Sequence, residues 1–91
     1  MTFLPQEIHV NDGYLGGGYG IMGLPEIEAI NMFAKLEGLL LDPVYTGRAA
    51  AGLIDLIRKG YFKSDETVLF WHTGGTPALF SDKYSCLAKN I

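Results

Sequence analysis

Leu39-Leu40-Leu41-Asp42-Pro43-Val44-Tyr45-Thr46-Gly47-Arg48 is the stretch whose reading decides the fold. A continuous apolar run ends in a proline turn, presents a phenol beside a hydroxyl, and passes through Gly47 into an alanine-rich segment starting near Ala49. That order reads as an extended segment feeding a helix through a short polar loop. In open α/β sheets, ligands bind at such junctions, outside the carboxyl ends of strands. Read by spacing alone, the stretch is a tight turn between core elements, with Tyr45 half-buried and Thr46 capping the helix.

Two further segments have strand character. Gln6-Glu7-Ile8-His9-Val10 alternates before the turn residues Asn11-Asp12-Gly13, and Thr67-Val68-Leu69-Phe70-Trp71 is rich in β formers. The second suits a strand buried on both faces of a parallel sheet. Between these segments lie two helices. Pro25 suits a first turn, Glu26 and Glu28 complement the helix dipole, and Gly38 is a stop, with Ile27, Ile30, Phe33, Ala34 and Leu36 forming an apolar stripe. The second helix runs from about Ala49 to Lys59, with Leu53, Ile54, Leu56 and Ile57 inward and Gly60 as its end. Pro77 opens a short final helix, and residues 81–91 read as a solvated tail.

Composition bounds what such a chain does. Ninety-one residues make one small domain, which hides only about 60% of its unfolded surface, yet 48% of the residues are hydrophobic. An excess of apolar surface points to a partner surface or to a place in a larger fold. The net charge of -3 has no basic cluster, which argues against nucleic acid and anionic membrane as partners. No apolar run reaches the ~20 residues of a membrane span, and the N-terminus lacks the pattern of a signal peptide. The lone Cys86 excludes an internal disulfide and is compatible with a cytoplasmic location. His9 has no second ligand at metal spacing, so no metal site is expected.

Six glycines between Gly13 and Gly23 form a loop carrying Tyr14 and Tyr19. They match neither nucleotide-binding fingerprint, and taken alone the two tyrosines read as packing anchors.

In combination, Tyr19-Gly20-Ile21, the run from Leu36 to Gly47, Leu53-Ile54 with Gly60, and Phe70-Trp71-His72-Thr73-Gly74-Gly75-Thr76-Pro77-Ala78-Leu79-Phe80 carry a resemblance. The chain resembles the C-terminal part of the D-cysteine desulfhydrase and 1-aminocyclopropane-1-carboxylate (ACC) deaminase family over about residues 8 to 80. These are pyridoxal 5'-phosphate (PLP) enzymes of the tryptophan-synthase β fold. The resemblance implies an α/β fold, in which residues 1–91 form part of the large PLP-binding domain, a twisted, mainly parallel sheet covered by helices (PLP fold type II). It matches Tyr19 and Tyr45 to two active-site tyrosines near the substrate, and Thr46, Thr73 and Gly74 to positions around the cofactor ring.

The same resemblance separates activities. ACC deaminases place a glutamate directly after the equivalent of Tyr45, whereas this chain has Thr46, so a neutral hydroxyl from Thr46 or Thr73 is expected opposite the ring nitrogen. That favours a D-cysteine desulfhydrase-like lyase over an ACC deaminase-like one, with a non-catalytic interaction domain as the third reading. Arg48 in place of lysine, Met22 in place of proline and the Gly16-Gly17-Gly18 run depart from the family pattern. The Schiff-base lysine and phosphate loop of the family lie upstream of the matched region, so the 91-residue chain alone is expected to be inactive. Its expected partners are a small amino-acid substrate, the missing N-terminal part of the enzyme and, when complete, a second copy in a homodimer.

Overall fold

The computed structural model describes residues 2, 4–7, 9–17, 23–81 and 83–84. Its frame is two helices, α1 (Leu24–Met32) and α2 (Thr46–Arg58), with short 3-10 turns at Pro5–Glu7 and Thr76–Phe80. At the start of α1 the Glu26 carboxylate turns back to accept the Gly23 N–H at 2.8 Å, and Pro25 occupies a first-turn position where its missing N–H costs nothing. The helix runs on into one π turn, Phe33–Glu37, and stops at Gly38, whose φ of 67° only glycine adopts without strain. The Gly38 and Leu39 amides close that end on the carbonyls of Ala34 and Phe33, both at 3.1 Å. The expected helix from Pro25 to Gly38 is therefore present.

The second helix begins a turn earlier than expected, at Thr46 instead of Ala49, and Gly60 (φ 74°) follows its end. Leu36 and Ile57, expected to face inward, are exposed. The core is built instead from Ala29 and Ile30 of α1, Ala50 and Ala51 of α2, and Leu41, Leu79 and Tyr84. Ile30, Leu41 and Leu79 are fully buried, each contributing about 1.5–3 kcal/mol of apolar transfer. Two ion pairs tie the helices together, Glu26–Arg48 at 3.5 Å and Glu28–Arg58 at 2.8 Å. Tyr84, expected in a solvated tail, is in the core cluster, and residues 82 and 85–91 lie outside the description. No helix among the described residues is long and apolar enough to cross a membrane.

The expected strands are not formed among the described residues. Pro5–Glu7 is a 3-10 turn closed by the Leu4 N–H on the Glu7 carboxylate at 2.7 Å, and Ile8 lies outside the description. Residues 39–41 and 67–71 are irregular, and Leu69 and Trp71, expected to be buried on both sheet faces, are 81% and 76% exposed. The physical reason is that β composition alone makes no ladder: a strand's hydrogen bonds all go to a neighbouring strand. Here side chains join the two segments. The Leu40 carbonyl accepts from His72 Nε2 at 3.0 Å and from Thr76 Oγ1 at 2.7 Å, and the Phe33 and Phe70 rings meet at 5.3 Å.

Gly47 marks the tightest point. A Cβ there would lie 2.6 Å from the Asp42 carbonyl oxygen and 3.1 Å from two carbons of Ile30. A backbone oxygen cannot yield as a side chain can, so Gly47→Ala is expected to destabilise the fold by about 1–3 kcal/mol, the usual cost of overpacking. The midpoint of urea unfolding, followed by helical circular dichroism, measures this; an unchanged midpoint would contradict the close approach.

Candidate active site

Asp42 organises the turn that leads into α2. Its side chain is buried, with the residue only 1% exposed. Oδ1 accepts the N–H groups of Val44, at 2.8 Å, and Tyr45. Oδ2 accepts the Thr46 N–H at 2.9 Å and the Thr46 hydroxyl at 2.6 Å. In return Thr46 Oγ1 accepts the Asp42 N–H at 2.7 Å, and the Gly47 N–H reaches the Asp42 carbonyl at 2.7 Å. Amides that a helix start leaves without partners are thus taken up by one carboxylate placed at the positive end of the dipole. Burial pushes the Asp42 carboxyl up, but the bonds from the Thr46 hydroxyl and the amides of Tyr45, Thr46 and Val44 outweigh it and hold the group below the ordinary carboxylate value.

A second turn closes on the same carboxylate. His72 Nδ1 accepts the Gly74 N–H at 3.0 Å while Nε2 donates to Leu40, which fixes the ring's tautomer and orientation. Gly74 and Gly75 both have left-handed backbone, with φ of 103° and 85°. Gly75 lies so close to Asp42 that an added Cβ would meet the carboxyl carbon and Oδ2 at 2.9 Å. Gly74 faces the other way, with nothing within 4 Å of its Cβ position. Thr73, before it, is exposed.

On α2 an open groove of about 700 Å³ is lined among others by Tyr14, Leu15, Tyr45, Arg48, Leu53 and Leu56. Tyr45 is 61% exposed at the helix start. Leu53 and Leu56, expected in the core, thus line this groove instead. Tyr14 fulfils the reading of a packing anchor, its ring 3.2 Å from where a Gly52 Cβ would stand and its hydroxyl donating to Asp55 at 2.6 Å.

The expected site residues are therefore placed unequally. Thr46 and the 73–75 turn come together across Asp42, while Tyr45 faces the groove, which neither Thr73 nor Gly74 lines. Tyr19 lies outside the described residues. Thr46 does not fit a donor to a cofactor ring, because its hydroxyl hydrogen is given to Asp42. Thr73 fits better, an exposed hydroxyl beside an unobstructed glycine backbone. Sequence reasoning missed Asp42 and His72. For Asp42 the available signal was an Asp-Pro pair four residues before the helix; nothing local marked His72.

No protein-family model matches the chain. Over 75 residues it is 53% identical to the D-cysteine desulfhydrases of Salmonella newport, Salmonella heidelberg and Salmonella schwarzengrund, an alignment covering 82% of this chain and 23% of each relative. The resemblance carried by the motifs is thereby shown: the chain is related to D-cysteine desulfhydrase, consistent with a C-terminal portion of that family. It spans under a quarter of the length of these relatives.

The depressed pKa of Asp42 sets an acid limit. A carboxyl with a lowered folded pKa contributes stability that is present above the unfolded value of about 3.9 and is lost as pH falls through the folded one. Asp42→Asn is expected to remove about 1.5–3 kcal/mol at neutral pH, because it replaces a charged acceptor, and to flatten the acid limb of the stability curve. Urea midpoints between neutral pH and pH of about 2 measure both effects; an equally steep acid limb in Asp42→Asn would assign the acid sensitivity elsewhere.

Proposed function

We propose that this chain forms part of the active site of a PLP-dependent lyase that acts as D-cysteine desulfhydrase does, eliminating sulfide from the β-carbon of D-cysteine, after which water converts the product to pyruvate and ammonia. The observation that supports the proposal is that one buried carboxylate, Asp42, bonds to the Tyr45-Thr46 turn and lies against Gly75, next to the Thr73-Gly74 pair, in a chain related to that enzyme. The remainder of the enzyme supplies the covalent lysine and the phosphate loop. Residues 39–41 and 67–71 then become strands of the twisted, mainly parallel sheet, a reading supported by the exposed faces of Leu69 and Trp71.

When bound, PLP supplies the electron sink for the carbanion from which sulfide departs. The chain's own residues orient and select. Tyr45, exposed on the groove, holds the substrate's carboxylate or its leaving sulfur by hydrogen bonding. Thr73 would offer a neutral hydrogen bond to the ring nitrogen, and Gly74, with nothing within 4 Å of its Cβ position, would leave room beside it. Thr46 acts one step removed, by keeping Asp42 in place so that the two turns stay in register. A hydroxyl in place of a carboxylate at the ring nitrogen favours elimination at the β-carbon over chemistry that needs a stronger sink.

An absorbance scan of the purified chain with PLP, alone and co-expressed with the N-terminal portion of a full-length relative, tests the proposal. The visible band of the protein-bound cofactor is expected only in the mixture, together with sulfide release from D-cysteine. Absence of the band in a soluble mixture would overturn the reading. In that mixture Thr73→Val is expected to shift the band and lower turnover by about 10-fold, the equivalent of one hydrogen bond of about 1.4 kcal/mol. Thr46→Val is expected to act through stability, lowering the urea midpoint of the chain itself.

A further inference from the structure

We infer that Tyr14 is a positioning residue, a latch that fixes residues 13–17 on α2 as the side of the groove facing Tyr45. The inference rests on the proposed role of Tyr45 against the substrate.

The latch has two parts. The Tyr14 ring lies flush on α2 at Gly52, where an added Cβ would meet ring carbons at 3.2 and 3.3 Å, so the absence of a side chain at Gly52 is what lets the ring approach. The Tyr14 hydroxyl then donates to Asp55 Oδ2 at 2.6 Å, one turn further along the helix. Lys59 meets the same oxygen at 2.7 Å and keeps Asp55 ionised and oriented. The hydrogen bond to Asp55 favours the neutral phenol, which raises the Tyr14 pKa and keeps it a donor across the neutral range.

A second hold lies two residues on. Gly16 has φ of 59°, and a Cβ there would come within 3.3 Å of Glu26 Oε1 and 3.4 Å of Arg48 Nη2, so the loop backbone rests on the Glu26–Arg48 pair joining α1 to α2. A glycine-rich segment has a large conformational freedom to lose, and these holds fix residues 14–16 against the helices. Tyr14 and Leu15 line one side of the groove, and Val44, Tyr45 and Arg48 line the start of α2. Releasing the latch widens the groove without touching Tyr45, so substrate binding suffers and the chemical step does not.

Two measurements on Tyr14→Phe, Asp55→Ala and the double variant test the latch. In the 91-residue chain, amide hydrogen exchange of residues 13–17 is expected to accelerate by about 5-fold in each single variant and no further in the double, the loss of one shared hydrogen bond. Lys59→Met, which keeps the phenol–carboxylate pair but removes the ammonium that orients Asp55, is expected to accelerate exchange in the loop by less than either single variant. In the enzyme assembled with the N-terminal portion, the same variants are expected to raise KM for D-cysteine by about 5-fold while kcat stays within about 2-fold. Unchanged exchange in Tyr14→Phe would overturn the latch. Accelerated exchange with KM unchanged, or with kcat falling instead, would overturn its positioning role. If the wild-type assembly binds PLP but does not turn over D-cysteine, the proposed function fails, and the exchange data still decide whether the latch exists.

Discussion

One buried carboxylate carries the arrangement. Taking a charged group out of water is costly, and Asp42 is tolerated because three amides and a hydroxyl converge on its two oxygens. Those donors are the beginning of α2, so the charge that needs partners and the helix end that needs an acceptor meet each other's requirement. The position of α2 then sets the closeness of Gly47 to Ile30, the Glu26–Arg48 pair and the groove above the helix.

The same carboxylate divides the labour between two turns that resemble one another in sequence. Thr46 faces inward and spends its hydroxyl on Asp42, while the 73–74 backbone turns outward because Gly75 must fit against the carboxyl group. His72 and Thr76 bracket that second turn and tie it to Leu40, which leaves Thr73 as the exposed hydroxyl of the pair. One threonine is thus buried on the carboxylate, and the other is exposed.

Local sequence carried the helices well and the sheet not at all. The stripe through Ile27, Ile30 and Phe33 and the glycine stops at 38 and 60 are signals a helix writes into adjacent residues. The start of α2 was misplaced by a turn because its cap, Asp42, acts from four residues away and looks in sequence like part of a Pro turn. The runs 39–41 and 67–71 have β composition, but whether they pair depends on neighbours distant in the chain, and here the Leu40 carbonyl is taken by His72 and Thr76. The expectation for Tyr45, Thr46, Thr73 and Gly74 rests on family resemblance alone, since a phenol or a hydroxyl in a turn has no periodicity to announce a role. That resemblance leaves both Thr46 and Thr73 open, whereas the structure places the Thr46 hydroxyl on Asp42.

The central claim is that an ionised Asp42 caps α2 and packs against the second turn at Gly75. A carboxyl-carbon NMR titration of Asp42 in the intact chain, with the Gly75 amide and the His72 ring followed in the same samples, tests it most directly. The account predicts that Asp42 stays ionised below the ordinary carboxylate value of about 3.9 and that the Gly75 and His72 signals move with it when it finally protonates. An ordinary titration near 3.9 that leaves Gly75 and His72 unmoved would contradict it.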